Sequence, residues 1–170
     1  MMQPVNYTFT VKNGALVCNP NDMGIELKQP INYNSIIENY TETQEIYADM
    51  MAPTKLKKGY DKENDRQVVL KSIYKNLLYD DLARKQAAIE FPLQCSLDHT
   101  NIVQGYEYAD SDNEHLIVME YVNCAEYLKE KIDDDLNQVK NEVKLKSFMA
   151  DLLEAISYVH ENGIAHSDIK

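Results

Sequence analysis

A chain of 170 residues has room for one ordinary domain or two small lobes. Its 44% hydrophobic and 26% charged content excludes global disorder, and a formal charge of −11 argues against nucleic acid or an anionic membrane as the main partner. No apolar run approaches the ~18 residues of a membrane span, and the N-terminus lacks a charged-then-apolar leader, so a cytoplasmic protein is expected. Three widely spaced cysteines, Cys18, Cys95 and Cys124, lack metal-ligand spacing and read as free thiols in a reducing compartment.

Residues 1–39 open with Tyr7 to Val11 and Ala15 to Val17 on either side of Lys12-Asn13-Gly14, a hairpin signal. Asn19 to Asp22 and Gln29-Pro30 mark turns. The segment is expected to be an N-terminal extension, and its role is not legible. Two strands follow, Thr41 to Tyr47 and Thr54 to Tyr60, around a turn at Met50 to Pro53. After the charged turn Asp61 to Arg66, Gln67 to Ile73 predicts a buried strand with Lys71 set into it. Desolvating an ammonium is costly, so Lys71 either has an anionic partner or lies on an edge strand and snorkels to water.

Leu77 to Leu97 predicts a helix. Leu78, Leu82, Ala83, Gln86, Ile89 and Glu90 have spacings near three and four and are expected to share its inner side, with Glu90 the natural anion for Lys71. Pro92 predicts a kink or a helix end near Ala88 to Phe91, because it removes a backbone donor and clashes one turn back. Ile102 to Tyr108 and His115 to Tyr121 predict antiparallel strands around an acidic turn. The nearly all-apolar Leu116 to Val122 reads as central, covered on both faces. Glu126 to Ile132 reads as a short helix. Asp133-Asp134-Asp135 reads as a solvated loop, with metal binding the lesser alternative. Asn141 to Glu161 is the clearest helix, its stripe of Leu145, Phe148, Met149, Leu152, Leu153, Ile156 and Val159 ended by Gly163.

The chain closes on His166-Ser167-Asp168-Ile169-Lys170. This pentapeptide resembles the catalytic loop of protein kinases, and other parts stand before it in the order that family uses. Val68-Val69-Leu70-Lys71 resembles the strand whose Lys contacts the ATP α- and β-phosphates. Glu90, ahead of Leu97-Asp98-His99-Thr100-Asn101-Ile102-Val103, resembles the helix-C Glu and its following loop. Leu116 to Val122 resembles the strand entering the hinge.

Over residues 40–170 the resemblance is to the Ser/Thr type, and it implies an α+β, protein-kinase-like fold. An antiparallel N-lobe with helix C and the hinge would occupy 40–122, and the start of a mainly helical C-lobe 123–170. It implies ATP as cofactor, held by Lys71, Glu90 and Val69, with Met119 as gatekeeper and the Glu120 carbonyl and Val122 amide on the adenine edge. It implies Asp168 as the group that takes the substrate hydroxyl proton and Lys170 as a second cation near the γ-phosphate, the partner being a protein substrate or a regulatory protein.

The pattern departs from the family in four places. Pro92 and Gln94 fall where helix C is regular and apolar, a departure expected to displace the Lys71–Glu90 pair. None of the five glycines falls at Tyr47 to Ala52, where the Gly-rich loop would lie, and Asp49 there would repel phosphates. Ser167 replaces the usual Arg. The Asn five residues past Asp168 and the Asp-Phe-Gly metal ligand do not occur, so Mg²⁺ ligands are expected beyond the end of what reads as a fragment, inactive as it stands, with no metal ligand among its own residues. A pseudokinase acting as a binding module is the alternative to the enzyme, and an unrelated α+β domain with a chance His-Ser-Asp is the third reading.

Overall fold

In a computed structural model of the chain, residues 9–12, 15–18, 26–48, 52–123 and 142–166 are described. The chain divides into two compact units, one of Leu27–Asp98 with Ile102–Ala125, the other of Met1–Glu26, His99–Asn101 and Glu126–Lys170.

The first unit is built on a five-stranded antiparallel sheet. After the hairpin strands β1 (Phe9–Lys12) and β2 (Ala15–Cys18) of the other unit come a short helix α1 (Tyr33–Asn39) and β3 (Tyr40–Ala48), β4 (Thr54–Asp61) and β5 (Arg66–Tyr74). The 16-residue helix α2 (Asp81–Ser96), then β6 (Gly105–Asp110) and β7 (Glu114–Glu120), complete the unit. The strand order is β3-β4-β5-β7-β6. Interior β7 is paired on both sides, which is why Leu116, Ile117 and Val118 are buried in succession.

Side chains alternate along a strand, so the sheet has two apolar faces to cover. On one face Val68 and Leu70 of β5 meet Leu116 and Val118 of β7, Ala109, Tyr40 and Ile36 of α1. On the other, Ile73, Ile117 and Tyr108 meet Ala87, Phe91 and Cys95 of α2. Each of the Val, Leu, Ile and Phe side chains among them contributes about 1.5–3 kcal/mol through burial. Asp61 closes the β4–β5 turn, where its buried carboxylate accepts from Glu63 N, Asn64 N and Asn64 Nδ2 and pairs with Arg66 Nε at 3.0 Å. Arg66 also lies over the Tyr106 ring, 3.6 Å from its centroid.

The expected strands are present, and two helical expectations are corrected. Of the kink or helix end expected near Ala88 to Phe91, the end does not occur: α2 continues through Pro92 to Ser96. Ala88, whose carbonyl loses the Pro92 donor, is exposed to water, and the burial of Phe91 and Cys95 holds the last turn down. The inner face of α2 is Ala87, Phe91 and Cys95, four residues apart, with Ala83 packed against it. Leu82 and Ile89, expected inward, are exposed. Asp80 caps the helix by accepting from Ala83 N at 2.6 Å.

In the other unit β1 and β2 pair antiparallel, Lys12 opposite Ala15, as the Asn13-Gly14 signal predicts. Helix α3 (Glu142–Glu161) ends on Gly163 at φ 76°, with Gly163 N bonded to His160 O and Ile164 N to Val159 O. This is the two-bond glycine termination expected from the sequence. Its Leu145, Phe148, Met149 and Leu153 are exposed. The helix expected at Glu126 to Ile132, the acidic triplet Asp133 to Asp135, Cys124 and the Asn19 to Asp22 turn lie outside the described residues; Cys95 is buried and free.

Candidate active site

Lys71 lies on β5 in the interior of the sheet, between β4 and β7, so it is not an edge-strand lysine. Its neighbours Leu70 and Ser72 point away, and Lys71 faces α2 together with Val69 and Ile73. There its Nζ donates to Glu90 Oε1, and the ammonium stands 5.7 Å from the Phe91 ring centroid. The Lys71 side chain keeps 24% of its exposure and that of Glu90 43%. A pair so solvated adds at most about 1 kcal/mol to stability. Its consequence is positional: a cation is fixed over one face of the sheet, partly open to solvent and available to a further anion.

The cross-strand register places the remaining candidates beside it. Val69 pairs with Met119 and Lys71 with Ile117, so Val69, Lys71, Ile117 and Met119 form one patch of the α2-facing side. Met119 is half-buried against the cluster around Phe91. Glu120 ends β7, its amide donating to Gln104 O at 2.8 Å, and an exposed Val122 follows in the connector. Lys58 reaches this connector, its Nζ 4.2 Å from the Tyr121 ring centroid. Lys71, Glu90, Val69, Met119, Glu120 and Val122 thus fall in one unit, whereas Asp168, Lys170 and positions 49–51 of the expected phosphate loop lie outside the described residues.

Three features of the site escaped the sequence reading. Phe91, next to Glu90 in sequence, is 1% exposed and sets the depth at which α2 meets the sheet. Gly105 lets the end of α2 approach β6: a Cβ there would stand 2.9 Å from Cys95 N and from the Gln94 carbonyl carbon. Gln94 Nε2 donates to Val103 O close by. A glycine opening a strand and an aromatic four residues from an alanine were the available signals. In the other unit, His99 stacks on Tyr158 with centroids 5.0 Å apart, and Asn101 Nδ2 donates to Asp151 O at 3.1 Å. A cavity of about 530 Å³ lined by Lys28, Arg66, Cys95 and Gln104, among others, involves none of the candidate site residues.

With this geometry in view, comparison with known proteins is decisive at the family level. The family model described as protein kinase domain matches residues 53–170. The chain belongs to the protein kinase family. Among its kinase relatives, NUAK family SNF1-like kinase 1 of Mus musculus is 29% identical over 119 residues, 68% of this chain and 17% of that protein. CBL-interacting serine/threonine-protein kinase 21 of Arabidopsis thaliana is 32% identical over 117 residues, 68% of this chain and 27% of that protein. The chain therefore spans well under a third of the length of either. A crystal structure of Rad53 1–466 in complex with AMP-PNP superposes with a TM-score of 0.59 at 20% identity, covering 79% of this chain and 34% of that one. The fold is that of a kinase, with the five-stranded sheet as its N-lobe.

Proposed function

We propose that the chain supplies the nucleotide-holding part of a Ser/Thr protein kinase, which when whole transfers the ATP γ-phosphoryl group to Ser or Thr hydroxyls of protein substrates. The observation that carries this is the Lys71–Glu90 pair on the same sheet patch as Val69 and Met119. Phosphoryl transfer needs positioned charge more than covalent help. Lys71, its orientation fixed by Glu90, donates to α- and β-phosphate oxygens. Val69 and Met119 give the adenine ring an apolar seat, and the Glu120 carbonyl and the Val122 amide take its polar edge. By the family's motif, Asp168 receives the acceptor hydroxyl proton and Lys170 lies by the γ-phosphate.

The kinase family uses Mg²⁺ with ATP. Among the described residues no group of three or more His, Cys, Asp or Glu side chains could hold a metal ion. The absence of glycine from positions 47–52, with Asp49 among them, favours a second reading, a pseudokinase that uses the fold to bind a partner. Cytoplasmic residence, expected from the sequence, is part of the proposal.

The test is thermal unfolding with and without millimolar Mg-ATP. The wild-type chain is expected to melt several degrees higher with nucleotide, since a ligand bound only to the folded state stabilises it by mass action. Lys71→Met is expected to melt normally without nucleotide and to lose the increment. No increment in the wild type, or an equal one in Lys71→Met, would refute a nucleotide site at Lys71. An increment with no transfer of labelled γ-phosphate to Ser/Thr-containing protein, by this chain or a longer product that includes it, selects the pseudokinase reading.

A further inference from the structure

Residues 27–39 lie ahead of the stretch that matches the kinase family, which begins at residue 53, yet they fold with the sheet rather than apart from it. Ile31 makes a parallel bridge to Ala109 at the β6 edge, its amide donating to Tyr108 O at 2.8 Å. Ile36 of α1 is 1% exposed in the core cluster with Val68, Leu70 and Val118. Between these anchors and the last turn of α2 runs a chain of hydrogen bonds centred on Lys28. Its amide donates to Ser96 Oγ at 2.8 Å, and its carbonyl accepts from Tyr108 Oη at 3.0 Å. Ser96 Oγ in turn donates to Pro92 O at 2.7 Å.

The location of that contact matters. Pro92 removes one rung of the α2 ladder two residues after Glu90, so the final turn is held less firmly by its own backbone. The Ser96 hydroxyl joins that turn to the strap on one side and to Pro92 on the other. Whatever fixes this turn fixes the azimuth of α2, and hence where Glu90 points.

We infer that the segment Leu27–Asn39 is a built-in positioning element for the site, and that Ser96 and Tyr108 are positioning residues. They act through α2 to hold Glu90 against Lys71. The inference rests on the kinase reading for its meaning, but the geometry it asserts can be measured without nucleotide.

The test is pulse acylation of the full chain at fixed pH with acetic anhydride, read for each lysine by peptide mass spectrometry, with exposed Lys85 of α2 as the internal reference. A lysine Nζ held in a hydrogen bond to a carboxylate is less open to the reagent than one turned to solvent. Glu90→Gln should raise Lys71 labelling relative to Lys85 and set the upper limit. Ser96→Ala is expected to raise it about threefold, Tyr108→Phe in the same direction, and Ser96→Thr, which keeps the hydroxyl, to restore the wild-type rate. The two loss variants should retain the wild-type melting temperature to within a few degrees. Labelling of Lys71 that stays at the wild-type rate in both, while Glu90→Gln raises it, overturns the inference. So does failure of Glu90→Gln itself to raise it, or a rise in Ser96→Ala that Ser96→Thr does not reverse. Loss of the Mg-ATP increment in Lys71→Met bears on the nucleotide site alone, so the two can fail separately.

Discussion

Phe91→Ala should lower the unfolding free energy by about 3–5 kcal/mol, the range for emptying a buried aromatic site. Phe91 is 1% exposed and sits where α2 is pressed onto Ile73, Tyr108 and Ile117 of the sheet. It meets the His115 ring edge-on with centroids 6.4 Å apart, and its own ring lies under the Lys71 ammonium. The neighbours cannot collapse into the space, because Ile117 and Ile73 belong to paired strands and α2 is already pinned at Gly105. Urea unfolding checks this: the midpoint should fall with little change in slope. A loss under about 1 kcal/mol would mean that α2 does not rest on the sheet through this residue.

The second large effect is at Asp61. Its carboxylate is 1% exposed and gathers two backbone amides, the Asn64 side chain and Arg66. Asp61→Ala would leave these donors without their acceptor and is expected to cost about 3 kcal/mol. Asp61→Asn keeps an acceptor for the amides, turns an N–H toward Arg66, and should cost less. The pH dependence has a definite sign. Burial alone would raise the Asp61 pKa, but the bonds from the Asn64 side chain and backbone, then Arg66, outweigh it and hold the carboxyl below its ordinary 3.8. A carboxyl lowered in the folded state stabilises fully above its unfolded value and loses that contribution as the pH falls through the folded value. The stability gap between wild type and Asp61→Asn should therefore be constant at neutral and mildly acidic pH. It should narrow only below about pH 3.8. A gap that narrows between pH 7 and 5 would contradict the assignment.

The sheet was legible because its strands carry period-two or wholly apolar patterns bounded by clear turns, as in β5 and β7. The ion pair was legible for a different reason. A lysine in an apolar run and a glutamate on a helix flank each need an opposite charge, and the family order names them as partners. The inner face of α2 was misread because Leu82, Ile89 and Phe91 compete for it in sequence. Large apolar residues occur around much of this helix, and only the sheet decides which are buried. The helix runs on past Pro92 because the proline's local penalty is offset by contacts of Cys95, Gln94 and Ser96 that no local pattern announces. The strap was missed for the same reason. Its seven-residue helix is too short for a periodic signal, and Ile36 is buried by strands more than thirty residues away in sequence. The roles given to Asp168 and Lys170 rest on the motif and belong to the proposal.

The central claim is that a nucleotide lies on the patch shared by Lys71 and Met119, and it is tested most directly at Met119 itself. With ¹³C-methyl-methionine labelling, the Met119 signal, one of seven, is assigned by its loss in Met119→Leu and followed through a Mg-ATP titration. It should shift saturably in the wild type and stay in place in folded Lys71→Ala, which adds no methionine, over the same concentrations. A Met119 signal that does not move in the folded wild type, or that moves equally in Lys71→Ala, would contradict the account.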